Sequence, residues 1–259
     1  MKLRALVFPV IAVSLILTSC GSGSSNSSSM KHEANQSATA GGTFLTEPIP
    51  ADVLALTFTD ADGKRFTFGS LKGKYIVFSN FLTSCQEICP MTTANLRDIG
   101  EAIKKSPLKE KVVVLDISVD AGRDTTTRLR KYLDLYATTA MTAASSDDAT
   151  LKKFWSYFGA PFTKTAFTAA DVKSLPVDWM TGKPNEYDMM HPDLVAIVDN
   201  KSNWAWLDLG APQVGTTIPA KLKSYLSEEG LKNLVKPEGI TWDTKAVLGA
   251  LTQLTGVKL

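Results

Sequence analysis

Sulfur and imidazole are scarce in this chain: 259 residues hold three Cys and two His. Three cysteines cannot staple a protein of this length, which excludes a disulfide-rich scaffold. Charge of one sign is lacking as well. With 28 Lys+Arg against 26 Asp+Glu the formal charge is +2, too small to argue for nucleic acid or an anionic membrane surface as a partner. Long apolar runs are missing too. The stretch Ala5–Leu17 covers 13 residues, whereas a helix crossing a bilayer needs about 20. At 44% hydrophobic and 21% charged residues, collagen, a coiled coil and wholesale disorder are excluded. An ordinary globular protein with a sizeable core remains.

What is present begins at the N-terminus. Lys2 and Arg4 precede Ala5–Leu17, and the run ends in Leu17-Thr18-Ser19-Cys20-Gly21. A basic start, an apolar run of this length and small residues before a Cys mark residues 1–19 as a signal peptide. The ending resembles the bacterial lipobox, which implies cleavage before Cys20 and diacylglycerol on its sulfur. The remainder is then held on the extracytoplasmic face of the cell membrane. Removing 1–19 leaves 26 Lys+Arg against 26 Asp+Glu, so the positive charge belongs to the targeting segment. Residues 20–43 follow as anchor and tether, with six Ser among Ser22–Ser29 and His32 as a solvated residue. Such a composition cannot offset the entropy of ordering, and as a flexible coil it spans about 25–30 Å.

The coarse pattern after the tether is α/β. Val53–Thr59 reads as a strand, turning at Asp60-Ala-Asp-Gly63 into Lys64–Phe68 as an N-terminal hairpin. Tyr75–Leu82, Val112–Val119 and Leu194–Val198 are near-continuous apolar runs, typical of strands covered on both faces. Helices are expected over Pro90–Lys105, with an apolar stripe at Met91, Ala94, Ile99, Ala102 and Ile103, and over Thr125–Tyr136. Ala140–Ala144 reads as a short strand, and Asp147–Phe158 as a helix capped by Asp147 or Asp148. Ala160–Met190, with Pro161, Pro176 and Pro184, reads as a long insertion. Trp204–Leu209 pairs with the strand before it, Ile218–Leu226 is the last core helix, and Trp242–Leu254 forms a C-terminal helical extension. The order β-α-β-α…β-β-α is that of a thioredoxin-like domain with a mixed sheet. It is expected over 46–235, followed by an extension over 236–259.

The remaining cysteines lie in Thr83-Ser84-Cys85-Gln86-Glu87-Ile88-Cys89-Pro90, directly after the first buried strand. Ligand sites in α/β folds gather at the carboxyl ends of strands. Pro90 suits a first helical position and would make Cys89 the N-cap, where the helix terminus favours thiolate. Three residues separate the cysteines. On a regular helix their Cβ atoms would stand about 5–6 Å apart, whereas a disulfide wants about 3.5–4.5 Å. A bridge is open to them if Cys85 lies in the loop, and so is joint ligation of one ion. The only His outside the tether, His191, precedes the Leu194–Val198 strand. Two thiolates and an imidazole suit a soft ion, copper in either oxidation state among them, whereas structural zinc wants a fourth ligand.

These residues resemble the SCO/SenC family of copper-binding, thioredoxin-like proteins that assist cytochrome c oxidase assembly. The likeness runs through Gly69–Phe81, the CxxxCP motif Cys85–Pro90, Asp116-Ile-Ser-Val-Asp120 with Arg123-Asp124-Thr125, Tyr187 four residues before His191, and Leu194–Asp199. It covers the core from about 50 to 228. The resemblance implies that Cys85, Cys89 and His191 bind one copper, as Cu(I), Cu(II) or both. It also implies a metallochaperone acting on the dinuclear copper site of oxidase subunit II or another cuproprotein, and a monomer. Asp120 aligns with an acidic position near the family's site and would support the ligands from behind.

The chain departs from the family at Met190 and Pro192, which flank the His, and at Ala121, where Pro is common. Met91, Met189 and Met190 read as packing or partner-facing residues rather than thioether ligands. The rival reading is a metal-free thiol–disulfide oxidoreductase using Cys85 and Cys89. A thiol peroxidase is disfavoured, because the Ser79–Cys85 stretch lacks the Pro, and the Thr in register, of the Pro-x-x-x-Thr-x-x-Cys stretch usual in such a site. A reductase has no need of His191, so that residue discriminates.

Overall fold

The computed structural model of the chain describes residues 41–168, 175–213, 217–239 and 242–259. The chain divides into two units, Met1–His32 and Glu33–Leu259, and every described residue belongs to the second. The signal peptide, Cys20 and His32 therefore lie outside the described residues. Among those described, no helix is long and apolar enough to cross a membrane.

The buried apolar runs become the centre of the sheet. Strand β4 (Tyr75–Phe81) pairs in parallel with β5 (Val112–Ser118), which pairs in parallel with β6 (Thr142–Ser145). On the other side of β4 lies β9 (Leu194–Val198), antiparallel, and then β10 (Asn203–Leu209). Helix α2 (Cys89–Lys104) joins β4 to β5, and α3 (Thr126–Leu135) joins β5 to β6. With α5 (Ala220–Lys223) after β10, the β-α-β-α…β-β-α order read from the sequence is the order of the fold, and its core is thioredoxin-like. Among the described residues the sheet has eight strands, in the order β1 (Thr43–Pro48), β10, β9, β4, β5, β6, β2 (Thr57–Asp60) and β3 (Arg65–Thr67).

Side-chain oxygens fix the helix starts. Thr125 caps α3 by accepting the Arg128 N–H, and Asp147 caps α4 (Asp148–Tyr157) by accepting the Thr150 N–H at 2.9 Å. Phe154 and Phe158 of this last region interlock with Phe58, Phe68 and Phe78 at centroid separations between 4.9 and 6.0 Å.

Several boundaries differ from the sequence reading. The first two residues of the expected strand Val53–Thr59 are helical: α1 spans Ala51–Leu54, and the hairpin strands are β2 (Thr57–Asp60) and β3 (Arg65–Thr67). One turn of helix buries Val53 where a strand would have alternated it with exposed neighbours. Strand β1 (Thr43–Pro48) was not anticipated; it pairs with β10 and covers its outer edge. The insertion holds a two-stranded sheet, β7 (Thr163–Ala166) against β8 (Tyr187–Met190). Instead of one helix over Ile218–Leu226 there are two short ones, α5 and α6 (Glu228–Val235), the second capped by Ser227. Helix α7 (Thr244–Thr255) packs on α2. Asn95 receives hydrogen bonds from Thr244 N–H at 3.2 Å and Thr244 Oγ1 at 2.8 Å. This cover explains why α2 is buried over Cys89–Leu96 and not along a single stripe.

Candidate metal centre

Helix α2 begins at Cys89 itself. Ile88 is the N-cap, with φ −107° and ψ −31°, and Pro90 falls within the first helical turn. This corrects the expectation that Cys89 would be the N-cap. The preceding loop already turns, with Cys85 N–H donating to Leu82 O at 3.2 Å, so the helical path starts one residue early. Cys85 therefore lies in the loop and Cys89 on the helix, and both are free thiols.

The two sulfurs have different surroundings. Cys89 is fully buried, and burial, followed by its contact with Cys85, pushes its thiol well above the usual range. Cys85 is half-buried, and its Sγ accepts the Cys89 N–H at 3.4 Å. A hydrogen bond from the Cys89 thiol draws the Cys85 thiol down against the opposing effect of burial, helped by the N–H groups of Cys89, Glu87 and Ile88. The pair is thus a half-buried, more acidic thiol backed by a buried one that holds its proton more tightly. Iodoacetamide at pH 7.5 is expected to label Cys85 at least about tenfold faster than Cys89, with peptide mass mapping as the readout. Equal rates would contradict this division.

His191 stands on the wall of the cavity that Cys85 opens into, a space of about 640 Å³ also bounded by Ser84, Glu87, Arg123, Met190 and Asp193. Its Nδ1 lies 3.0 Å from Asn80 Nδ2 and 3.2 Å from Pro192 O. Burial lowers its pKa, which keeps the imidazole neutral and able to ligate. Among the described residues no three His, Cys, Asp or Glu side chains come close enough to hold one ion. The fold therefore brings the two cysteines together and sets His191 across a shared cavity, without closing the three into a cluster.

Asn80 is the residue that sequence reasoning missed. It is buried on β4, donates to Pro192 O at 2.6 Å and accepts the Leu194 N–H at 3.2 Å. These bonds fix its amide orientation and tie the strand that precedes Cys85 to the loop that carries His191. The available signal was an amide inside the apolar run Tyr75–Leu82, where an unpaired polar group would be costly.

Asp120 touches neither cysteine nor His191. Its carboxylate accepts Tyr187 OH at 2.8 Å, the N–H groups of Gly122 and Arg123 at 3.2 Å, and the Arg123 guanidinium. The Arg123 guanidinium also lies 3.9 Å from the Tyr187 ring centre and donates to Tyr187 O at 2.9 Å. Asp120 thus anchors β8, the strand that leads into His191. Met91 is buried in the core, whereas Met190 is 64% exposed at the cavity.

A second buried network holds the loop before Cys85. Thr83 donates through N–H and Oγ1 to Asp124, which also accepts Ser118 Oγ at 2.6 Å. Arg128 reaches Asp124, Thr83 and Asp178, and Trp179 Nε1 donates to Thr83 O at 2.7 Å. Burial, followed by the Asp120 charge, raises the Asp124 pKa to about 6.

The chain is similar to several known proteins. The chain is 30% identical over 96 residues to the SCO1 protein homolog of Bacillus subtilis, covering 37% of this chain and 49% of that one. It is 26% identical over 127 residues to a Stutzerimonas stutzeri protein named for copper binding, covering 49% and 61%. The matched region thus spans about half the length of these relatives. The solved structure of Bradyrhizobium japonicum ScoI with copper bound is 24% identical, with 73% of this chain and 100% of that chain covered and a TM-score of 0.47. The family model described as SCO1/SenC matches residues 53–226, well over half of the sequence, and the chain belongs to that family.

Proposed function

We propose that this protein is a lipid-anchored copper carrier of the extracytoplasmic membrane face that serves assembly of cytochrome c oxidase. In this reading Cys85, Cys89 and His191 bind one copper ion as cargo, and the dinuclear copper site of oxidase subunit II is the client. The observation that carries it is the pair of free thiols, one fully buried, at a cavity that His191 also lines. The donor set of two sulfurs and one imidazole suits a soft ion, whereas a closed structural zinc site wants a fourth ligand. Membership of the SCO1/SenC family and the copper-binding name of a relative support the same cargo.

The chain's own groups account for capture and release. Cys85 offers the thiolate that meets the ion first, and Cys89 must give up its proton to follow, so loading releases protons. Burial keeps His191 neutral, so a ring nitrogen has a lone pair to offer the ion. Asn80 and the Asp120–Tyr187 contact hold the histidine loop from two sides of the sequence. Oxidation of the pair to a disulfide would remove both thiolates, which couples cargo to redox state.

The unequal thiols also favour a second reading, disulfide reduction, in which Cys85 attacks and Cys89 resolves. One mixing experiment separates the two. Copper-loaded protein is added to a reduced, copper-free subunit II domain, and metal-free dithiol protein is added to the oxidised domain. The carrier reading expects the client's dinuclear-site absorption to appear in the first mixture. Client thiols appearing only in the second, at a rate unchanged by His191→Ala, would replace the carrier with a reductase.

A further inference from the structure

Helix α6 lies beyond the residues matched by the SCO1/SenC family, 53–226, yet it closes on the loop between the two cysteines. The Gln86 carbonyl accepts the Ser227 N–H at 3.0 Å and the Ser227 hydroxyl at 3.3 Å. Ser227 also starts α6, its Oγ accepting the Gly230 N–H at 3.0 Å. A Cβ on Gly230 would overlap the Gln86 carbonyl oxygen and come within 3.2 Å of Glu87 Cα. The helix backbone thus rests directly on the loop backbone, which only glycine permits. The Gln86 side chain is held as well, its Nε2 donating to Val177 O at 2.7 Å.

Closing a Cys85–Cys89 disulfide brings the sulfurs to about 2.05 Å. Cys89 is buried in the first turn of α2 whereas Cys85 lies in the loop, so any change of backbone path on closure falls on Cys85 and on Gln86–Ile88. Contacts made by the open loop and lost on closure shift the equilibrium toward the open form by their difference between the two states. We propose that α6 is a latch that holds the CxxxC loop in its dithiol form and so sets the redox equilibrium of the pair. In the reaction concerned, the two thiols give two electrons and two protons to a disulfide oxidant such as glutathione disulfide. One S–S bond forms between Cys85 and Cys89, the oxidant's S–S bond breaks, and it leaves as two thiols. The latch acts on the sulfur pair whether copper or a client disulfide is the substrate.

The test uses the copper-free full chain, equilibrated in glutathione buffers, quenched in acid and counted for free thiols by mass. Gly230→Ala is expected to raise the disulfide-to-dithiol ratio about fivefold at a fixed glutathione poise, the worth of a lost backbone contact of this kind. Ser227→Ala should move it the same way by less. Leu231→Ser, on the 46% exposed side chain of the same helix, should leave it unchanged. Parental ratios in both Gly230→Ala and Ser227→Ala, or a shift toward the dithiol, would overturn the proposal. If Gly230→Ala does not fold, Ser227→Ala decides alone. Because no metal is present, the outcome is independent of the copper reading.

Discussion

Arg128→Met lowers the unfolding free energy by about 3–5 kcal/mol, the loss that follows when one partner of a buried ion pair is removed. The Arg128 side chain is 8% exposed, and it faces Asp124 and Asp178, whose side chains are 0% and 7% exposed. Methionine replaces the apolar stem but leaves both carboxylates without their cation. Thr83 loses its contact with the guanidinium at the same time, so the loop leading to Cys85 loosens together with the core. Urea unfolding at pH 7, followed by circular dichroism, gives the value directly. Arg130→Met is the contrast: its partners Asp62 and Asp134 are 68% and 64% exposed, and the change there should stay below about 1 kcal/mol.

The sign of the pH dependence adds a second check. Asp124 has a folded-state pKa raised to about 6 against an unfolded value near 3.8. Between those two values the folded state keeps a proton that the unfolded chain has released, so this group's contribution to stability falls as pH rises through the window. Removing Arg128, which favours the carboxylate, pushes that pKa higher still. The deficit of Arg128→Met relative to the parent should therefore shrink as pH falls from 7 to 5. A deficit that grows on acidification would contradict the assignment of Asp124 as the stranded charge.

Cys85→Ala and Cys89→Ala are each expected to abolish tight Cu(I) binding, and His191→Ala to weaken it by less. The order follows from the donors. A soft monovalent ion gains most from thiolate, so losing either sulfur leaves a single thiolate to hold it. The imidazole supplies a neutral third donor from a loop that must first approach the cysteines. Asn80→Ala should fall below all three, weakening binding about 10–100-fold, as expected for a residue that orients a ligand without touching the ion. Anaerobic competition with a Cu(I) chelator ranks the four variants. Parental affinity in Cys89→Ala would remove the buried thiol from the site.

The parts of this fold legible in the sequence were those with a periodic or chemical signature. Continuous apolar runs such as Tyr75–Phe81 can only be strands covered on both faces, and Asp147 before Leu151 and Phe154 announces a capped helix. The CxxxCP spacing placed both cysteines after a core strand, where the structure puts them. What escaped depended on tertiary partners. Strand β1 carries little pattern of its own and is held by pairing with β10. The turn of helix at Ala51–Leu54 consists of residues equally acceptable in a strand. Arg128 and Asp178 stand 50 residues apart, so nothing local reveals that they meet, and the reach of α6 to Gln86 is equally non-local. The contacts by which Asp120 holds the strand before His191, to Tyr187 and Arg123, are tertiary in the same way.

The central claim is that Cys85, Cys89 and His191 together hold the copper. Its most direct test is X-ray absorption at the copper edge on the reduced, Cu(I)-loaded chain and on its His191→Ala variant. The account predicts two sulfur neighbours and one nitrogen neighbour in the parent, with the nitrogen absent and both sulfurs kept in the variant. A nitrogen that persists in His191→Ala, or a third sulfur in the parent such as the Met190 thioether would supply, would contradict it.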